Sequence, residues 1–219
     1  MGRQISKPVA AALDESFLFY SFRRLEGNRL VKSLLIENST GNGTVAVADE
    51  EEILIRRAFS KTGELAVTIQ EIFLRLGDPD EIVVGIGPGS YTGLRVASAT
   101  AIGIQLALGC PAFGCPSVFG YPNVSYHVVG DARLGAVFLA SIEDKRLTRG
   151  PELLPAAELQ SLLPRLGGGP IFAVGPVPSC PDLPIIRPEA EYLIRCRESF
   201  THSLEPLYLK EPHITPRRL

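Results

Sequence analysis

Tryptophan is absent from the 219-residue chain, methionine occurs once, and histidine occurs only at His127, His202 and His213. No His-x-x-x-His pair presents two imidazoles on one helix face, so a zinc-peptidase type of metal centre is excluded. The four cysteines, Cys110, Cys115, Cys180 and Cys196, form no Cys-x-x-Cys unit and have no histidine at zinc-ligand spacing. They read as reduced thiols. No apolar run approaches the roughly 20 residues of a membrane span, and the start lacks a signal-peptide core, so the cytosol is the expected compartment. Clustered basic charge is lacking as well: 22 Lys and Arg against 24 Asp and Glu give a net charge of -2. A chain that grips nucleic acid alone needs more, so any RNA role calls for a more basic partner.

What is present is apolar: 45% hydrophobic residues can supply a real core. Residues 1–30 stand apart as an extension in which Val9–Leu13 and Phe17–Tyr20 are apolar, and Asp14, Glu15 and Glu26 are unlike a transit peptide. From Leu34 the pattern sharpens. Leu34–Ile36 and Thr44–Ala48 read as a β-hairpin around a polar turn, and Ile53–Phe59 as a third antiparallel strand. Glu64–Leu76 has the period of a helix, with apolar residues at 65, 69, 72, 73 and 76 and a wider face through Ala66, Val67 and Leu74. Ile82–Ile86 is a buried strand leading into Gly87–Gly93, and Leu94–Leu108 a second helix built on small residues. Beyond Cys110 the signals thin. Pro116, Pro122, Asn123 and Gly130 mark loops, Leu134–Ser141 a strand with a turn at Glu143–Lys145, Pro155–Leu163 a helix, Ile171–Val174 a strand, Glu189–Ser199 a helix and Pro206–Lys210 an extended tail.

The glycine loop is the most informative segment. It is no Walker A loop, because Leu94 stands where the phosphate-binding lysine belongs, and it matches neither a Rossmann fingerprint nor a nucleophile elbow. Two readings remain open: an anion nest at a helix start, or a tight turn capped by Ser90 or Thr92. Asp131 and Arg133 suit a turn with a surface ion pair. A peptidase would need a nucleophile–base pair, and none is visible in the sequence.

Gly87-Pro-Gly-Ser-Tyr-Thr-Gly-Leu-Arg95 resembles the signature of the TsaB (YeaZ) family, the dimerisation subunits of the bacterial machinery that forms threonylcarbamoyladenosine in tRNA. Leu34–Thr40 resembles the family's opening strand and phosphate-loop remnant, Asp131–Phe138 its strand after mid-chain, and Pro206–Pro212 its closing segment. The resemblance spans roughly residues 31–215. It implies an α/β, actin-like ATPase (RNase H-type) fold with mixed sheets flanked by helices. A first lobe would span residues 31–130 and a smaller one residues 131–219. It also implies a TsaD-type catalytic homologue as partner, a TsaE-type ATPase in the same assembly, tRNA met through the complex, and a homodimer. No cofactor or metal is expected for the chain by itself, with nucleotide only in the assembled complex. The partner surface falls on the two helices, at Leu65, Ile69, Ile72, Phe73, Leu76, Leu94, Ala97, Ser98, Ala101 and Gln105. The signature loop, Gly87, Pro88, Gly89, Ser90, Thr92, Gly93 and Arg95, is expected to be architectural, with Arg95 anchoring it or facing the partner.

Departures from the family pattern are specific. Glu37-Asn38 stands where Asp-Thr is usual, which disfavours a working nucleotide–metal pocket. Pro122 should reshape residues 117–127, and Ala136 replaces a frequent Glu. The competing function is an ATP-dependent acyl- or phosphotransferase of the same superfamily with its own active site.

Overall fold

The computed structural model describes residues 31–210; the extension 1–30, His213 and the end of the closing segment lie outside them. Three antiparallel strands open the fold: β1 (Lys32–Glu37), β2 (Gly43–Asp49) and β3 (Glu52–Phe59). Helix α1 (Leu65–Leu76) follows, then β4 (Glu81–Gly85), helix α2 (Tyr91–Leu108) and β5 (Ala112–Cys115). The first sheet runs in the order β3-β2-β1-β4-β5, with β4 and β5 parallel to β1. That is the RNase H-type order: a hairpin meander supplies the antiparallel part, and helical crossovers bring back the parallel strands.

The second sheet has the order β8-β7-β6-β9 and is built from β6 (Tyr126–Asp131), β7 (Ala136–Glu143), β8 (Arg146–Pro155) and β9 (Ile171–Ala173). Helix α3 (Ala156–Leu162) follows β8, and α4 (Ala190–Leu193) leads into a 3-10 stretch, Ile194–Ser199. No helix among the described residues is long and apolar enough to cross a membrane.

Alternation along the strands sorts the core into layers. Leu35, Ala46, Ala48 and Val83 face a cluster that contains Phe119, Tyr126, Val128 and Phe138 from the second half and Ala190, Leu193 and Ile194 from the α4 region. Their neighbours Leu34, Ile36, Val45, Ile82 and Val84, all fully buried, point to the other face, where α1 and α2 lie. A smaller cluster, Val129, Val137, Leu139, Leu159 and Ala173, packs α3 on the second sheet.

Several elements differ from the sequence reading. Helix α2 begins at Tyr91, one turn before Leu94, because Ser90 is its N-cap. Ala112–Cys115 and Tyr126–Asp131 are strands rather than loops. Gly130 lies inside β6, where a Cβ would meet the ring of Phe138. Strand β8 had no counterpart, since Gly150, Pro151 and Pro155 carry turn signals; it lies at an edge, where Pro is tolerated. The expected helix Glu189–Ser199 is one turn of α-helix, after which Cys196, at φ -115° and ψ 41°, breaks the helical geometry. Around Pro122 there is only a 3-10 turn, Ser117–Phe119, in keeping with a reshaped segment.

Candidate functional site

Strand β1 ends at Glu37, Asn38 and Ser39 follow it, and all three are buried. Glu37 Oε1 accepts the backbone N–H of Ser39 at 2.7 Å, while its Oε2 has no hydrogen-bond partner. Burial pushes this carboxyl above its usual range, opposed by hydrogen bonds from Ser39 and Ser117. Gly85, at the end of β4, makes room for it: a Cβ there would meet Oε2. Asn38 Oδ1 and Ser39 Oγ are likewise buried without partners.

The signature loop closes over these residues. Ser90 N–H donates to Ser39 O at 2.6 Å, and Asn38 Nδ2 donates to Gly93 O at 3.1 Å. Gly89 and Gly93 permit this approach, since a Cβ on either would collide with the carbonyl oxygen of Ser39 or Asn38. Gly87, at φ +106°, donates to Ser117 Oγ at 3.0 Å and accepts from Ser117 N at 2.8 Å. Ser90 Oγ accepts from Gly93 N at 3.4 Å, and Ser90 O accepts from Leu94 N. The backbone N–H groups of Gly87, Ser90 and Gly93, three of the loop's six, are therefore turned onto the chain itself, which favours the capped-turn reading over an open anion nest. Pro88 is buried and Thr92 exposed.

The tail straps the loop from outside. Leu207 N donates to Ile86 O at 2.7 Å, Tyr91 Oη to Lys210 O at 2.8 Å, and Arg95 Nε to Tyr208 Oη at 2.9 Å. Tyr91 and Tyr208 stack at 4.9 Å, with the Arg95 guanidinium over both rings. Arg95 thus anchors the loop.

The ten helix residues expected at a partner surface require correction. Leu65, Ile69, Ile72, Leu76, Leu94, Ala97, Ser98 and Ala101 are at most 7% exposed, because the strongest apolar period of each helix faces its own sheet. Phe73 and Gln105 are half-buried. What the helices leave to solvent is a different set: Val67, Leu74, Ile102 and Leu106, of which Leu74 and Leu106 are 81% and 79% exposed. Ala99 and Gly103 are exposed beside Ile102 and Leu106, and a Cβ on Gly103 would meet nothing. The signal that could have found them is the second apolar line on each helix, offset from the first.

A nucleophile–base pair not visible in the sequence does form. Ser141 Oγ lies 2.8 Å from His127 Nδ1, across the β6–β7 pairing. Both residues are buried, and His127 Nε2 is tied to Gly167 O at 2.6 Å, so no substrate carbonyl can reach the hydroxyl. Asp131 accepts the Arg133 backbone N–H at 3.0 Å, a turn contact rather than the expected ion pair. No group of three or more His, Cys, Asp or Glu among the described residues could hold a metal ion. A cleft of about 490 Å³ shares no lining residue with the signature loop; it lies between the β2–β3 turn, the β7–β8 turn and residues 194–198. Its charges are mostly paired, as in Arg197–Glu81 at 2.7 Å and Arg146–Glu198 at 3.2 Å. Burial pushes its Cys196 thiol up to about 11, leaving it inert.

Residues 62–125, which carry α1, β4, the signature loop, α2 and β5, match the TsaD family, described as tRNA N6-adenosine threonylcarbamoyltransferase. Uncharacterized protein Rv3421c of Mycobacterium tuberculosis is 31% identical over 166 residues, covering 71% of this chain and 75% of that protein. Mb3455c of Mycobacterium bovis matches to the same extent. YeaZ from Pseudomonas aeruginosa aligns with a TM-score of 0.62 at 21% identity, over 80% of this chain and all of YeaZ. The chain belongs to one family with these mycobacterial proteins. A second Pseudomonas aeruginosa structure, described as similar to peptidase YEAZ, aligns at TM-score 0.65 and 19% identity over 83% of this chain and all of that one. These structures show the fold, which is of the actin-like type, and residues 62–125 share the sequence pattern of a tRNA-modifying family.

Proposed function

We propose that this protein is a non-catalytic scaffold subunit of a tRNA threonylcarbamoyladenosine-forming assembly, pairing with a TsaD-type catalytic homologue through the outer faces of α1 and α2, with a TsaE-type ATPase joining. By itself it turns over no ATP and modifies no tRNA, and it holds no nucleotide outside the assembled complex. The observation that carries the reading is the exposed apolar surface: of thirteen exposed large hydrophobic residues among the described ones, six lie on these two helices. Val67, Leu74, Ile102 and Leu106 would anchor it, while Ala99 and Gly103 let a partner helix approach closely. A two-fold homodimer would use the same face self-complementarily and compete with the homologue. The loop supports a scaffold in a second way, because its glycines serve the chain's own backbone.

The test is sedimentation of the protein with and without the catalytic homologue. Leu106→Glu and Leu74→Glu alter exposed side chains, so melting temperature should hold. An unpaired charge at the centre of a typical interface of about 1,600 Å² costs several kcal/mol, enough to abolish pairing at micromolar concentration. Intact pairing in both variants would refute the helix face, and ATP turnover by the isolated protein that is lost in Glu37→Gln would favour a transferase.

A further inference from the structure

The carboxyl of Glu37 reaches both ends of the signature loop through short relays. Its Oε1 accepts Ser39 N–H at 2.7 Å, and Ser39 O accepts Ser90 N–H at 2.6 Å, so this arm ends on the N-cap of α2. The other arm runs through Ser117. A Cβ built on Gly85 would meet both Glu37 Oε2 and Ser117 Oγ, so the two oxygens border one space at the end of β4. Ser117 Oγ accepts Gly87 N–H at 3.0 Å, and Ser117 N–H donates to Gly87 O at 2.8 Å. One carboxyl therefore stands behind the first residue of the loop and behind the residue that starts the helix.

Nothing of opposite charge balances it. No lysine, arginine or histidine acts on Glu37 among the described residues. The titratable groups that face it are the Cys115 thiol at the end of β5 and the Tyr121 hydroxyl, two acids that burial holds neutral and that meet the Glu37 charge as a like charge. Glu37 Oε2 and Tyr121 Oη are both buried without hydrogen-bond partners. A protonated carboxyl suits this place, because it has a hydrogen to give and Ser117 Oγ keeps a lone pair beyond the one that Gly87 N–H uses. An ionised one does not: burial outweighs the hydrogen bonds from Ser39 and Ser117, so its relief is water. We propose that Glu37 is a proton-operated latch on the signature loop: with its proton it holds residues 87–90 against the chain, and on ionisation it lets them go. The latch is closed at low pH and opens as pH rises through the value of the folded carboxyl. Opening disturbs the Ser90 cap and the first turn of α2, and leaves the tail strap as the loop's outer restraint. The device belongs to the chain alone and does not depend on the pairing proposed above.

Amide exchange of the isolated protein, corrected for the intrinsic pH dependence of exchange, tests it. A one-proton latch raises the opening constant of residues 87–95 by up to about tenfold per pH unit between the ordinary carboxyl value and the folded one. In wild type that constant should rise at least about tenfold between about pH 5 and 8, and in Glu37→Gln it should stay within about twofold. The amides of β6, read in the same samples, report global unfolding and should stay better protected than the loop at every pH. Tyr208→Ala loosens the strap from outside, so it should raise opening without changing the pH slope. Carboxyl carbon resonances of the wild type locate the ionisation itself, which should coincide with loop opening, and this measurement decides the matter if Glu37→Gln does not fold. Parallel profiles in wild type and Glu37→Gln overturn the latch. So does a wild-type loop whose opening is flat with pH, a rise shared equally by the β6 amides, or a Glu37 that ionises while exchange at residues 87–95 stays constant.

Discussion

Gly93 and Gly103 lie ten residues apart on α2, and the structure assigns opposite outcomes to the same substitution at each. In Gly93→Ala the new methyl group meets the carbonyl oxygen of Asn38, with the carbonyl carbon only 3.3 Å away, and neither is the movable end of a side chain. The β1–β2 loop must back off. That withdrawal loosens the Ser90 N–H bond to Ser39 O and the Asn38 amide bond to Gly93 O. Two hydrogen bonds at about 1 kcal/mol each and an overpacking cost of about 1–3 kcal/mol put the loss near 3–5 kcal/mol. At about 2–4 °C per kcal/mol for a chain of this size, the melting temperature should fall by roughly 6–20 °C. In Gly103→Ala the methyl enters open space in a helix interior, where Ala is favoured over Gly by about 1 kcal/mol. The melting temperature should rise by about 2–4 °C. Urea midpoints at constant m-value check both signs. Equal shifts in the two variants would refute the claim that the signature glycines serve a close backbone approach. Because Gly103 lies on the proposed pairing face, its Ala variant should also pair more weakly while being more stable.

Ala101→Arg, at a fully buried position, should fail to fold, with a loss above about 4 kcal/mol from burying an unpaired charge; a folded monomer from this variant would contradict the helix packing described here. For Glu37 the folded carboxyl lies above its ordinary value of 4.5, so the folded state holds the proton more tightly. The stability this contributes is complete below about pH 4.5 and is lost as pH rises through the folded value. Urea midpoints of Glu37→Gln between pH 4.5 and 8 should therefore fall less with rising pH than those of wild type, and parallel profiles would dismiss the effect. Tyr208→Ala removes the ring stack and the Arg95 contact. It should cost about 0.5–1.5 kcal/mol and speed amide exchange over residues 87–95.

The first half of the fold was legible because its signals are local. A polar turn between two apolar runs specifies the β1–β2 hairpin, and a 3.6-residue period specifies α1 and α2. The second half was legible only in part. Strand β5 is four residues long and offers no alternation to read, and β8 carries a glycine and two prolines that only an edge position tolerates. Those features depend on neighbours far along the chain. The helix face was misplaced for a related reason. Periodicity identifies the strongest apolar stripe, and in a helix laid on a sheet that stripe belongs to the sheet. Leu106 and Leu74 belong to the weaker, opposite line, which the sequence records only as apolar residues in excess of one contact.

The glycine loop left two readings open in the sequence, and the deciding information lies in contacts with residues distant in sequence, Ser39 and Ser117. An anion nest needs N–H groups that converge on empty space. Here Gly87 N–H goes to Ser117, Ser90 N–H to Ser39, and Gly93 and Leu94 N–H to Ser90. Glu37 in place of the expected Asp deepens the change. Its longer side chain lies in the space left by Gly85, is fully buried, and has its charged form disfavoured, so it is poorly suited to attract a cation. Beside the loop, then, lies a carboxyl whose burial resists ionisation, and three of the loop's N–H groups are taken up by the chain itself. The exposed apolar side chains Val67, Leu74, Ile102 and Leu106 lie on α1 and α2, and the scaffold role proposed above rests on that surface.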